Sequence, residues 1–260
     1  MKRFCNDIKR YSGYAFYSAK SALKAEVANS HLNWLWWILD PLLFMLVYMF
    51  IGLMVYRSPE KHFALFVFIG LTVWNFFSKT VQSSVKLVSG NKSVISKVYL
   101  PKYILVISKM INNFIKLLIS FGIILVMMLF YQVPYTWHMI HLLPVLITLM
   151  TVTFGCSVIV MHFGVFVEDL YNLVHVALRL TFYLSGVFYA IESRIGAPYG
   201  KLLLKCNPLA LCIDSARQAL IEGALPQYIP LLIWFGIGLL FSVCGVWMIY
   251  RYENSYVKVI

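Results

Sequence analysis

The chain has 260 residues, 61% hydrophobic and 12% charged, against roughly 45–50% and 25% in an average soluble domain. No water-soluble interior hides that much apolar surface, and at roughly 20 residues per crossing of a hydrocarbon core about 30 Å thick, the length holds about six transmembrane helices and little else. The +12 formal charge, from 22 Lys and Arg against 10 Asp and Glu, clusters between the apolar segments, where bases orient helices and meet anionic headgroups. No basic face with interleaved aromatics is left over for nucleic acid.

In chain order, residues 1–33 mix Phe4, Ile8, Tyr11, Tyr14 and Phe16 with Lys2, Arg3, Lys9, Arg10, Lys20 and Lys24, a pattern that predicts an amphipathic helix at the cytoplasmic interface. It lacks the apolar core of a cleavable signal. The first five spans occupy residues 34–190. The first opens with Trp34, Trp36 and Trp37 at headgroup level, and Asp40-Pro41 predicts a helix start or kink. The second runs from about Phe63 to Ser83, followed by a basic loop with Lys86, Lys92, Lys97 and Lys102. The third covers about Tyr103 to Tyr131, the fourth Met139 to Phe166 and the fifth Leu170 to Ala190. Residues 191–228, interrupted by Pro198, Pro208 and Pro226, are too polar to span and form an external re-entrant segment. Residues 229–250 make the sixth span and 251–260 a short tail. The fold class is therefore an all-α membrane protein built as one transmembrane domain.

Bases concentrate in the N-terminal segment and the second-to-third loop, while the first-to-second loop holds Arg57 and Lys61, and Gln132–His138 has no Lys or Arg. Both termini are then expected in the cytoplasm. Arg194, Lys201, Lys205 and Arg217 fall outside as the exception, in a loop where the charge rule is weaker.

Catalytic and cofactor signatures are sparse. Gly90-Asn91-Lys92-Ser93 lacks the upstream glycine of a phosphate-binding loop. His138 and His141 share a helical face and read as a solvated edge rather than a metal site. The five cysteines form no CxxC pair. Free thiols are expected, with a Cys206–Cys212 disulfide as the alternative. Within the spans, Lys116 and Arg179 sit about ten residues from an end, where a charge costs roughly 2.5–3.5 kcal/mol on insertion scales. Each should face a polar path or a carboxylate. Glu168 and Asp169 read as helix N-terminal acids. Aromatics make up 17% of the chain. Most belong to interface belts, and a minority, with Trp36, Tyr48, Tyr183 and Tyr189 as candidates, could line a conduit in which sugar C–H faces stack on rings.

These residues resemble the membrane subunits of ATP-binding-cassette exporters of capsule, O-antigen and teichoic-acid polymers, the type 2 permease family, nearly end to end. Leu23-Lys24-Ala25 with Leu35-Trp36 and Asp40-Pro41-Leu42-Leu43 resembles the family's entry into the first span. Lys97-Val98-Tyr99-Leu100-Pro101 resembles its second-to-third loop, Tyr183-Leu184-Ser185-Gly186-Val187-Phe188-Tyr189 its fifth-span motif, and Asn207-Pro208-Leu209-Ala210 its external segment. Asp40, Glu26, Glu168 and Gly186 depart from the family's usual residues. The resemblance implies a homodimer in the bacterial cytoplasmic membrane, with two ATPase subunits docked beneath. ATP and Mg bind in the partner, and this chain holds no cofactor. It implies a conduit between the two copies, ATPase coupling through Lys92, Lys97, Tyr99 and Pro101, and an undecaprenyl-linked glycan whose pyrophosphate meets Lys20 and Lys24. A small-molecule or drug exporter, a multi-span lipid-modifying transferase and a non-transporting scaffold are the rival readings. The transferase would need an acid/base or His/Asp cluster at one membrane face.

Overall fold

The computed structural model describes residues 2–28, 33–55, 62–253 and 255–256, and among them every regular element is helical. Arg57, Lys61 and Lys258 lie outside the described residues. The order is α1 (Lys2–Ala28), α2 (Asn33–Val55), α3 (Phe63–Ser84), the short α4 (Leu87–Gly90) and α5 (Lys92–Ile95), then α6 (Tyr103–Phe130). A 3-10 turn (Trp137–His141) leads into α7 (Leu142–Phe166), followed by α8 (Leu170–Leu184), α9 (Ile191–Ile195), α10 (Tyr199–Cys206) and α11 (Pro208–Arg217). A π turn (Gln218–Glu222) precedes α12 (Tyr228–Arg251).

Among the described residues five helices are long and apolar enough to cross a membrane: Leu35–Gly52, Phe63–Ser84, Tyr103–Phe130, Trp137–Phe166 and Tyr228–Arg251. The segment expected as the fifth span differs. Its helix α8 has 15 residues and stops at Leu184, where Gly186 takes a positive φ of 62°, a conformation glycine adopts without the Cβ clash of other residues. Of the two alternatives expected at Asp40-Pro41, the helix start fails at the proline. Pro41 lies inside α2, which has already begun at Asn33, so the proline removes one backbone donor from a continuous helix rather than starting one.

Helix α3 is the hub. Most of its residues are buried, and its buried Thr72, Thr80 and Ser84 hydroxyls donate to carbonyls one turn back at 2.8, 2.6 and 2.7 Å. It packs on α2, α6, α7 and α11. The most extensive helix pair is α7 with α12, joined through a glycine seam. A Cβ on Gly155 would lie 2.7 Å from Phe241 Cβ, and one on Gly238 would lie 2.9 Å from the Val152 nitrogen. Small residues let membrane helices approach this closely, which is where their packing energy arises.

Helix α11 buries most of its length against α3, α7 and α12. Its start follows from sequence. Asn207 caps it, accepting from the Leu209 and Ala210 amides at 3.0 and 3.3 Å, and Pro208 occupies the first turn, where a missing N–H costs nothing. The Asn207 amide also donates to the Leu184 carbonyl at 3.3 Å and Ser185 Oγ at 3.1 Å, so one side chain joins the end of α8 to the start of α11. Arg217, placed by the sequence in an outside loop, is 3% exposed. It donates to the Phe66, Gly186 and Val187 carbonyls at 3.1, 2.9 and 2.6 Å and lies 3.4 Å over the Phe66 ring. The Gly186 and Val187 carbonyls lie past the end of α8, where no helical N–H pairs with them.

Both described chain ends share a face of the bundle with the second-to-third loop. Tyr103 and Tyr250 hydroxyls donate to Asp7 at 3.0 and 2.7 Å. Arg3 donates to the Tyr99 hydroxyl at 2.8 Å and pairs with Glu253 at 3.3 Å. Lys102, buried, lies 3.8 Å from Glu253; burial lowers its pKa and Glu253 raises it in part.

Candidate functional site

Two polar stripes at helical spacing face each other across the bundle. On α3 they are Asn75, Ser78, Lys79 and Gln82, and on α6 Lys109, Asn113, Lys116 and Ser120. Residues three, four and seven apart lie on one helix face. With α2 and α8 they wall a groove of about 760 Å³ that opens to one side. It joins a second hollow of about 350 Å³ through the shared Asn75, Lys79, Asn113 and Lys116. The buried Asn113 amide donates to Thr80 Oγ1 at 2.9 Å, fixing α6 against α3.

Two of the groove's cations pair with acids that line the adjoining hollow. Lys116 donates to Glu26 at 2.6 Å and lies 5.3 Å over the Trp37 ring. Lys79 donates to Asp40 at 3.1 Å. Both pairs are part-exposed. Arg179 meets His175 one turn earlier on α8, at 3.0 Å. Lys109 has no carboxylate within ion-pair distance among the described residues. Opposite the bases stands an aromatic wall. Tyr48 stacks on Phe188 at 4.9 Å between ring centres, and Phe182 touches Trp74 at 5.3 Å and Tyr183 at 5.6 Å.

The groove therefore brings Tyr48, Lys116, Arg179 and Tyr183 together, and Trp36 lines the adjoining hollow. Tyr189 stands apart, its hydroxyl donating to the Tyr183 carbonyl at 2.8 Å. Lys20 and Lys24 are exposed on α1 and line neither hollow. Lys92 and Lys97 are exposed on the loop, Tyr99 is tied to Arg3, and Pro101 is buried. Lys79, Lys109, Asn75 and Asn113 escaped residue-by-residue reading. Their signal was the polar stripe itself, which covers the second half of α3 and the middle of α6 in otherwise apolar helices. Glu26 and Asp40, two departures from the family pattern, turn out to be the two acids with lysine partners here.

Helix α8 separates this groove from a different cavity, of about 300 Å³ and mostly apolar, toward α7 and α12. Among the residues of α8 only Val174 is buried. Its start is held by Gln82 donating to the Tyr171 carbonyl at 3.1 Å and by Lys86 lying 4.4 Å over the Tyr171 ring.

The family model for ABC-2 type transporters matches residues 16–221, most of the chain and the whole of the groove-lining helices α2, α3, α6 and α8. The chain belongs to the ABC-2 type transporter family. Among similar proteins is the O-antigen export system permease protein RfbA of Myxococcus xanthus, 29% identical over 232 residues and covering 89% of each chain. Two proteins of the same name from Klebsiella pneumoniae are 26% and 25% identical over 240 residues, covering 92% of this chain and 91% of theirs. The ABC-2 assignment and the apolar helices together make this a multi-pass membrane permease with a transport role.

Proposed function

We propose that this ABC-2 permease exports a lipid-linked polysaccharide of the O-antigen, capsule or teichoic-acid class across the bacterial cytoplasmic membrane. The observation that carries the reading is the open-sided groove: bases on α3, α6 and α8 face an aromatic wall, the chemistry of an anionic head followed by stacking sugar rings. The shared name of the three relatives supports the polymer class. On this reading α8 with Ser185–Ala190 completes six crossings, residues 191–228 form the external re-entrant segment, and the whole chain is one transmembrane domain. Both termini and the Lys92–Pro101 loop face the cytoplasm.

A second copy closes the groove. The exposed apolar residues Phe44, Val47 and Phe50 on α2, and Leu173, Val176 and Leu180 on α8, flank its open side and supply the contact. Two ATPase subunits, carrying ATP and Mg, dock on the loop through Lys92 and Lys97. Tyr99, bonded to Arg3, passes their motion to α1. The cargo head meets the groove's bases, while Lys20 and Lys24 meet membrane headgroups outside it.

The test is reconstitution with the partner ATPase. The purified chain alone should hydrolyse no ATP, and the complex should move an undecaprenyl-diphosphate-linked glycan into proteoliposomes. A complex that transports small amphiphiles and ignores the glycan would favour a drug exporter instead.

A further inference from the structure

The groove carries more charge than a conduit for neutral sugars needs, and its distribution is uneven. Lys79 and Lys116 are each held by a carboxylate, Asp40 at 3.1 Å and Glu26 at 2.6 Å. Lys109 and Arg179 have no carboxylate within ion-pair distance among the described residues, Arg179 resting on the His175 ring nitrogen. Two cations are thus available to a passing anion, and two are already neutralised.

A single diphosphate head meets this arrangement well. It lodges between Lys109 and Arg179 once, at the start of transport, without disturbing either pair. A glycan bearing a carboxylate or phosphate on every repeat meets it badly. To find more positive charge it must break Lys79–Asp40 or Lys116–Glu26, and each freed acid then faces the polymer with a like charge, a repulsion that water and salt screen only in part at these part-exposed positions. The repulsion recurs with each repeat, whereas the head passes once. The aromatic wall of Tyr48, Trp74, Phe182 and Tyr183 imposes the same preference, because an uncharged sugar face stacks on a ring without stripping water from an ion.

We infer that Asp40 and Glu26 are specificity residues that admit a cargo with one anionic head and uncharged repeats and reject polyanionic glycans. The inference rests on the exporter reading above and sharpens its substrate class.

The experiment compares two undecaprenyl-diphosphate-linked glycans of equal length, one of neutral hexoses and one with a uronic acid in each repeat, as stimulators of ATP hydrolysis by the permease–ATPase complex in proteoliposomes. The neutral glycan should half-saturate at a concentration at least about tenfold lower. Equal half-saturation overturns the inference while leaving the exporter reading intact, and this comparison needs no variant. In the double variant Asp40→Asn, Glu26→Gln the gap should close to within about threefold. A swapped pair, Glu26→Lys with Lys116→Glu, keeps net charge and salt bridge and should retain the preference for the neutral glycan. A gap unchanged in the double variant assigns specificity elsewhere and overturns the role of these acids. An assembled complex that neither glycan stimulates removes the exporter reading and this inference with it.

Discussion

The two sides of this permease are built on opposite principles. On one side α7 and α12 meet through Gly155, Gly238 and Gly245, close enough that an added Cβ at any of these would run into the facing helix. On the other, α2 and α8 keep most of their apolar surface on the outside. By burial the sides differ less, 17% of the Leu35–Gly52 window against 44% of Trp137–Phe166 and 22% of Tyr228–Arg251, so the close glycine contacts carry the distinction. The difference separates scaffold from working surface. Close backbone approach makes a pair that moves as a unit, whereas a helix with one buried residue and polar ties at its ends can shift with little loss of packing. The groove lies on the loosely held side.

The comparison is broken most directly at Arg217, the side chain that joins α3, α11 and the end of α8. Replacing it with Met leaves the Gly186 and Val187 carbonyls unpaired in the interior, and should cost about 3–5 kcal/mol, the range for removing one member of a buried charged network. The readout is folded yield and thermal stability in detergent, and a near-normal melting temperature would show that the staple is dispensable. Next in size is Gly238→Leu, which should open the α7–α12 seam at a cost of about 1–3 kcal/mol from overpacking. The same substitution at Gly236, where a Cβ meets nothing within 4 Å, should be tolerated. Equal effects at the two sites would dissolve the distinction between the sides.

Asn207→Ala removes the cap of α11 and the tie to α8, with a loss of about 1 kcal/mol. Hydrogen exchange should show the protection loss concentrated in α8 rather than in α7 or α12. The smallest effect on stability, within about 0.5 kcal/mol, is expected from Lys92→Glu with Lys97→Glu, since both side chains are exposed. Yet this variant should lose ATPase binding or glycan-stimulated turnover. Unaltered complex formation and turnover would end the coupling role of the loop.

Much of the fold was readable from local chemistry. Five apolar windows and the base-rich loop each follow from residues adjacent in the chain. What escaped depends on partners far apart. Glu26 reaches Lys116 across 90 residues, and Arg217 reaches Gly186 and Phe66, so a charge that looked external is a buried staple. The extent of the fifth span was illegible because apolar residues continue past Leu184 while the backbone does not stay helical. Gly186 ends the helix, and hydropathy is blind to φ. The groove was half legible. Lys116 and Arg179 stood out as single charges in apolar runs, whereas Lys79 and Lys109 become meaningful only when each helix is viewed as a face.

At about 1.5 Å per residue, the 15 residues of α8 rise about 22 Å, well short of a hydrocarbon slab roughly 30 Å thick. On the six-crossing reading Ser185–Ala190 continues the crossing without regular helix and a second copy covers part of that flank, so lipid tails against the remainder shorten or tilt, at a fraction of a kcal/mol for each ångström of mismatch. The permease should therefore be a gauge of bilayer thickness: its turnover in short-chain phosphatidylcholine vesicles should exceed that in long-chain ones, and thinning agents should act as mild activators.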